Sequence, residues 1–206
     1  MLGVASWRTK MGHSREVLPT LDWLLQRHNR DKSQLDAIAV DLGPGGYAGL
    51  RVGLSTAKAL AYGLDAKLVG IGRLPADALP LAQTTGARVV PVQVAGRAEL
   101  AYGVYHADGD SLVEDVEAGL GPLSALVAGL RMGDIVCGEA DRMDDAARDA
   151  IRDAGARIVI ATTPRVLAVA SLAWQRLQRG DTDDLDSLVP LYLRAPAIGP
   201  QSPPRA

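Results

Sequence analysis

Gly43-Pro44-Gly45-Gly46-Tyr47-Ala48 carries the spacing G-x-G-x-x-A, between a strand-like run and a helix-like one. That is the setting in which backbone N–H groups hold a dinucleotide pyrophosphate against a helix N-terminus. Two residues argue against this chemistry. Pro44 lacks the N–H that a phosphate would use, and the position at the end of the next strand, where an acidic ribose ligand belongs, is Arg73. Asp65 has the right offset but precedes that strand. No Gly-Lys-Ser/Thr completes a Walker loop. The alternative use of Gly43, Pro44, Gly45, Gly46 and Gly49 is close backbone packing at a helix entrance.

Other reactive side chains are sparse. His13, His28 and His106 lie far apart and form no His-x-x-x-His, so no pair on one helical turn is available to a metal. His13 reads as a local hydrogen-bonding residue and His28 as a helix C-terminal residue favoured by the dipole. Ser14 and Ser55 have no base beside them in sequence. Cys137, the single cysteine, sits inside an apolar run and reads as a buried strand residue. Asp41 ends a strand where α/β folds place ligand groups, and capping the glycine loop suits it. We therefore assign no catalytic residue, no metal site and no cofactor.

The elements that position these residues follow from periodicity. Leu2–Trp7 reads as a strand, Arg15–His28 as a helix capped by Ser14, and Asp36–Leu42 as a buried strand. A helix from Ala48 to Gly63 follows, then a strand at Lys67–Ile71. Arg88–Val94, Glu99–Ala107 and Ser111–Glu117 form an antiparallel meander, with Asp108-Gly109-Asp110 as the hairpin turn. A helix at Pro122–Leu130, a strand at Asp134–Gly138, a helix at Met143–Ala154 and a strand at Arg157–Ala161 restore alternation. Thr163 caps a last helix reaching Arg179, and Val189–Arg194 is a late strand. The expected organisation is an N-terminal α/β lobe (1–98), a C-terminal α/β lobe (99–194) and a proline-rich, disordered tail (195–206).

The helix after the glycine loop has only two charges, Arg51 and Lys58. Leu50, Leu54, Ala57, Ala61 and Leu64 form a stripe suited to a sheet. Val52, Thr56, Ala59 and Gly63 form a stripe of small residues, and Arg51, Ser55, Lys58 and Tyr62 the polar one. A helix apolar on most sides needs cover on most sides, which points to a second chain.

With 206 residues, net charge −2 and a pI near 5.9, the chain has a full core and no basic nucleic-acid footprint. No stretch reaches the ~18 apolar residues of a membrane span. No signal peptide is legible, and one cysteine suits a reducing compartment, so a cytoplasmic protein is expected.

The segment GPGGYAGLRVGLSTAKALA closely resembles the signature of the TsaB family, also called YeaZ. GHSREVLPTLDWLL (Gly12–Leu25), VVPVQVAGRAELAYGVY (Val89–Tyr105) and VPLYLRAP (Val189–Pro196) support it in the same order. The resemblance implies a two-lobed α/β fold of the actin, sugar-kinase and Hsp70 type (ribonuclease H-like). It also implies a noncatalytic subunit of the machinery that makes threonylcarbamoyladenosine at tRNA position 37. The partner would be a TsaD-like transferase, joined by a TsaE-like ATPase, with homodimers when alone and tRNA met only indirectly. The interface residues implied on the helix are Leu50, Val52, Gly53, Leu54, Thr56, Ala57, Leu60 and Ala61. The runner-up reading is a nucleotide-binding enzyme of the same superfamily using loop 43–49. Two departures from the family pattern stand out. The chain starts at what resembles the family's second strand, so a truncated N-terminal lobe is expected. Val94 and Gly96 replace an Asp and an Arg of a central motif that keeps Arg97 and Glu99.

Overall fold

Two sheets share one helix between them in the computed structural model, which describes residues 1–7, 13–96, 99–160 and 163–192. The first sheet has two parallel strands, β1 (Ala37–Gly43) and β2 (Lys67–Gly72). The second has five, β3 (Val89–Gly96), β4 (Glu99–Asp108), β5 (Ser111–Pro122), β6 (Ile135–Gly138) and β7 (Arg157–Ile158), in the order β5-β4-β3-β6-β7. The β3–β4–β5 meander is antiparallel, while β6 and β7 add in parallel, each reached through a helix. Strand pairing thus runs across residue 98, because β3 and β4 are neighbours in one sheet.

The helices are α1 (His13–Arg27), α2 (Tyr47–Leu64), α3 (Arg73–Thr85), α4 (Leu123–Gly129), α5 (Asp145–Asp153) and α6 (Arg165–Gln178). On one face of the first sheet, Leu54, Ala57 and Ala61 of α2 pack on Val40, Leu42 and Leu68. On the other, Val69 and Ile71 meet Ala76 and Leu79 of α3 and Ala168, Val169 and Ala173 of α6. The opposite side of α3 (Leu74, Ala78, Ala82) packs on Val89, Tyr105, Ile135 and Cys137 of the second sheet.

Five expectations need correction. Residues 1–7 form no strand, since a strand requires a paired neighbour and their backbone has none among the described residues. Helix α3 had no counterpart in the sequence reading, because Pro75 and Pro80 punctuate it. Pro75 falls in the first turn, where a missing N–H costs nothing, and the burial of six side chains outweighs Pro80. Thr163 is not the cap of α6; Pro164 occupies that position without a side-chain bond. Likewise α1 begins at His13, ahead of Ser14. No strand runs through Val189–Tyr192, although the Leu191 N–H donates to the Leu42 carbonyl at 2.9 Å. Arg97, Arg194 and the tail 195–206 lie outside the described residues.

Candidate functional site

The glycine loop is shaped by one hydrogen bond and one close contact. The Asp41 carboxylate accepts the Gly43 N–H at 2.8 Å, the loop-capping role its position suggested. Gly43 has φ +92°, and a Cβ there would lie 2.7 Å from a Leu50 methyl. Glycine is therefore required at 43 for both conformation and space. The peptide Gly43–Pro44 is cis. Gly46 and Gly49 face open space. Burial pushes the Asp41 carboxyl above its usual range; the Gly43 N–H and the cations Arg165 and Arg73 pull it back only in part.

That shift has a testable sign. A carboxyl whose folded pKa is raised stabilises the fold below that pKa and loses this contribution as pH rises from the ordinary carboxylate range through the raised value. We expect Asp41→Asn to flatten this part of the profile and to leave stability near pH 7 unchanged or higher. Urea midpoints measured between pH 4 and 8 read it.

The loop lines one wall of a cleft of about 380 Å³, with Arg73, Gln93, Val94, Glu139, Arg142 and Tyr192 among the other walls. Arg73, at the start of α3, reaches the Pro44 carbonyl at 3.5 Å and Glu139 at 3.1 Å. Arg142 donates to the same Glu139 oxygen at 2.9 Å, while the other oxygen accepts the Val94 N–H at 3.1 Å. Arg165, opening α6, grips Asp77 of α3 at 2.6 and 3.3 Å. Three guanidinium groups and the carboxylates Asp77 and Glu139 thus join the glycine loop, α3, α6 and the edge of β3. Every carboxylate oxygen of that pair accepts a hydrogen bond. The sequence reading singled out none of these residues except Arg73, and that one as a misfit. Arg73 and Asp77, spaced i, i+4, were the only local signal.

The remaining candidates scatter. His106 sits on the β4–β5 hairpin, 2.9 Å from Asp115, and His28 follows the last turn of α1. Burial drives the Cys137 thiol far above its usual range, so it is no nucleophile. Among the described residues no cluster of metal-ligating side chains occurs, and no helix is long and apolar enough to cross a membrane.

Helix α2 divides by face. Leu54, Ala57 and Ala61 are buried in the chain's own core, which removes them from the surface offered to a partner. Leu50 lies against the glycine loop. The polar side is met by the chain's C-terminal segment: Lys58 donates to the Asp186 carbonyl at 3.4 Å, and Tyr47 stacks on Tyr192. Val52, Thr56 and Leu60 are half-buried, and Gly49, Gly53, Ala59 and Gly63 are exposed. A Cβ at Gly49, Gly53 or Gly63 would find nothing within 4 Å. Thr56 hydrogen-bonds to the Val52 carbonyl, which keeps its hydroxyl off this surface. Leu54→Arg with Ala57→Arg therefore tests the core: we expect it to unfold the first sheet, seen as a lost thermal transition.

Two sheets flanking α3, with a cleft beside a glycine loop that leads into an apolar helix, define a mixed α/β protein, and this fits the actin, sugar-kinase and Hsp70 type of fold that the sequence resemblance implies. The chain belongs to the TsaD family, tRNA N6-adenosine threonylcarbamoyltransferase, whose model matches residues 3–198. It is 38% identical over 66 residues to the tRNA threonylcarbamoyladenosine biosynthesis protein TsaB of Haemophilus influenzae, covering 32% of this chain and 28% of that one. It is 43% identical over 72 residues to the tRNA N6-adenosine threonylcarbamoyltransferase of Salinibacter ruber, covering 35% and 22%. The matched stretches thus span under a third of either relative's own length. In structure it is similar to YeaZ from Pseudomonas aeruginosa, with TM-score 0.76, 20% identity, and 90% and 86% of the two chains covered. A second chain from that organism, described as similar to peptidase YeaZ, gives TM-score 0.72, 22% identity, and 88% and 84%. These relatives fit the TsaB/YeaZ resemblance drawn from the sequence.

Proposed function

We propose that this chain is a noncatalytic subunit in the synthesis of threonylcarbamoyladenosine on tRNA, and that it binds and activates a TsaD-like transferase through the exposed face of α2. The observation that carries this reading is the exposed small-residue stripe of Gly49, Gly53, Ala59 and Gly63, flanked by half-buried Val52 and Thr56. Such a stripe lets a second helix approach to the short end of the usual 8–10 Å interaxial range. A TsaE-like ATPase completes the proposed assembly, and the same stripe serves a homodimer when the transferase is absent. The proposed setting is the cytoplasm.

The test is co-expression of the tagged chain with the TsaD-like transferase of the same organism. We expect a stable complex at equimolar ratio and tRNA modification that depends on both chains. Failure to associate, with both proteins folded, overturns the reading. The cleft beside the glycine loop keeps a second reading in play, a nucleotide-binding enzyme. Titration calorimetry with ATP and Mg²⁺ separates the two, since tight binding lost in Gly45→Val favours the enzyme.

A further inference from the structure

Helix α2 has a second surface beside its small-residue stripe. The polar stripe of Arg51, Ser55 and Lys58 lies one residue, or about 100°, round the helix from it. Between this polar stripe and the segment after α6 runs a groove of about 330 Å³, walled by Tyr47, Arg51, Ser55, Lys58, Pro190 and Tyr192. Both walls are fixed. Leu54 of α2 is buried in the core, Leu188 packs on the same core, and the Leu191 N–H donates to the Leu42 carbonyl at 2.9 Å.

The groove carries charge of one sign. Two cations line it and no carboxylate does. Arg51 is exposed, and its guanidinium is held over the Tyr47 ring, 5.2 Å from the centroid, with one N–H donating to the Tyr47 hydroxyl at 2.6 Å. Tyr47 is steadied in turn by Tyr192, with 5.4 Å between ring centroids. The Lys58 ammonium donates to the Asp186 carbonyl at 3.4 Å. Asp184 feels the Lys58 charge, but its Oδ1 is spent on the Asp186 and Ser187 N–H groups and the Ser187 hydroxyl. Neither Arg51 nor Lys58 makes an ion pair among the described residues. The remaining residues, 8–12, 97–98, 161–162 and 193–206, contain no Asp or Glu, so they hold no acidic side chain to place against Arg51.

We propose that this groove takes an extended acidic segment of the protein that covers α2, with one carboxylate in the guanidinium fork of Arg51 and a second beside Lys58. It rests on the α2 reading given above and adds the chemistry of the partner. Arg51 and Lys58 stand two turns apart, about 10.5 Å along the axis. In a polyproline-II segment, residues three apart return to one side after about 9 Å, so acids at that spacing meet both cations. The groove holds less than one turn of a helix about 10–12 Å across, which favours such a segment over a helix. An apolar residue or proline beside the first acid packs on Tyr47 and Tyr192. Tyr47 already orients the guanidinium, so little freedom is lost on pairing. RNA fits less well, because its run of phosphates would continue into Asp184, an exposed acid near Lys58.

The probe is the TsaD-like transferase of the same organism, with affinity measured by surface plasmon resonance across a salt series and a thermal melt for each variant. Arg51→Glu and Lys58→Glu are expected to melt like the parent and to weaken binding about tenfold or more at low salt. Arg51→Lys, which keeps the charge and loses the fork, is expected to fall between parent and Arg51→Glu. Added salt is expected to weaken the parent more steeply than Arg51→Glu. Reversing one Asp or Glu of the transferase to Arg is expected to restore binding to Arg51→Glu and not to Gly53→Arg. Parental affinity in both Arg51→Glu and Lys58→Glu overturns the proposal, as does failure of every such reversal. The α2 reading survives either result if Gly53→Arg still weakens the complex. A parent chain that does not bind the transferase at all overturns both. If Arg51→Glu instead abolishes binding of the free chain to a tRNA anticodon stem-loop and leaves the transferase affinity unchanged, the groove belongs to RNA and the proposal falls.

Discussion

Replacing Gly53 by arginine is expected to weaken capture of a TsaD-like transferase by at least a hundredfold, about 2.8 kcal/mol. Gly53 is exposed on α2 and has open space where a Cβ would stand. In the free chain the new side chain extends into water and disturbs no neighbour. In the helix it also removes a glycine, worth up to ~1 kcal/mol in favour of the fold. In the complex it stands where another helix must approach closely, and it brings a cation into a desolvated contact without a partner. Ala59→Arg, also on the exposed face, is expected to act likewise. The measurement is affinity by surface plasmon resonance beside a thermal melt. Unchanged affinity with an unchanged melting temperature sinks the α2 interface.

Removing Arg88 is expected to cost about 3–5 kcal/mol of stability, a drop on the order of 10 °C in melting temperature. Asp134 is 3% exposed and receives Arg88 through two donors, at 2.9 and 2.6 Å. The same carboxylate accepts the Arg131 N–H at 2.8 Å, and Arg88 also reaches the Gly129 carbonyl at 2.9 Å. The pair stands at the start of β3 and β6, where the Ile135 N–H donates to the Arg88 carbonyl. Arg88→Ala leaves a buried carboxylate with backbone partners alone, whereas Arg88→Met with Asp134→Leu removes both charges and is expected to recover most of the loss. Denaturant unfolding of the two variants beside the parent checks the ranking. An Arg88→Ala variant within 1 kcal/mol of the parent would contradict this account.

Much of the architecture was legible from local pattern. The run DAIAVDL, the α2 stripes and the Asp108-Gly109-Asp110 turn each report their own conformation, and each element forms where its spacing demands. Leu54, Ala57 and Ala61 face the sheet as their phase requires. That phase also separated them from any partner surface, so the interface set needed pruning once burial was known. Residues 1–7 misled because their strand-like alternation meets no paired strand among the described residues. α3 hid behind two prolines, whose local cost is overruled by burial on two sides. The cleft was the least legible part. Arg73 and Asp77 sit one turn apart on α3, but Glu139 and Arg165 come from distant regions of the chain, and no spacing rule links residues joined only by tertiary packing.

Helix α3 gives one face to each sheet, and Arg165 and Glu139 fasten it from two further directions. Neither half therefore owns a complete hydrophobic interior. Melting of one strips cover from the other, so the molecule behaves as a single cooperative unit, and a fragment cut on either side of residue 80 forfeits the protection that slow amide exchange would report.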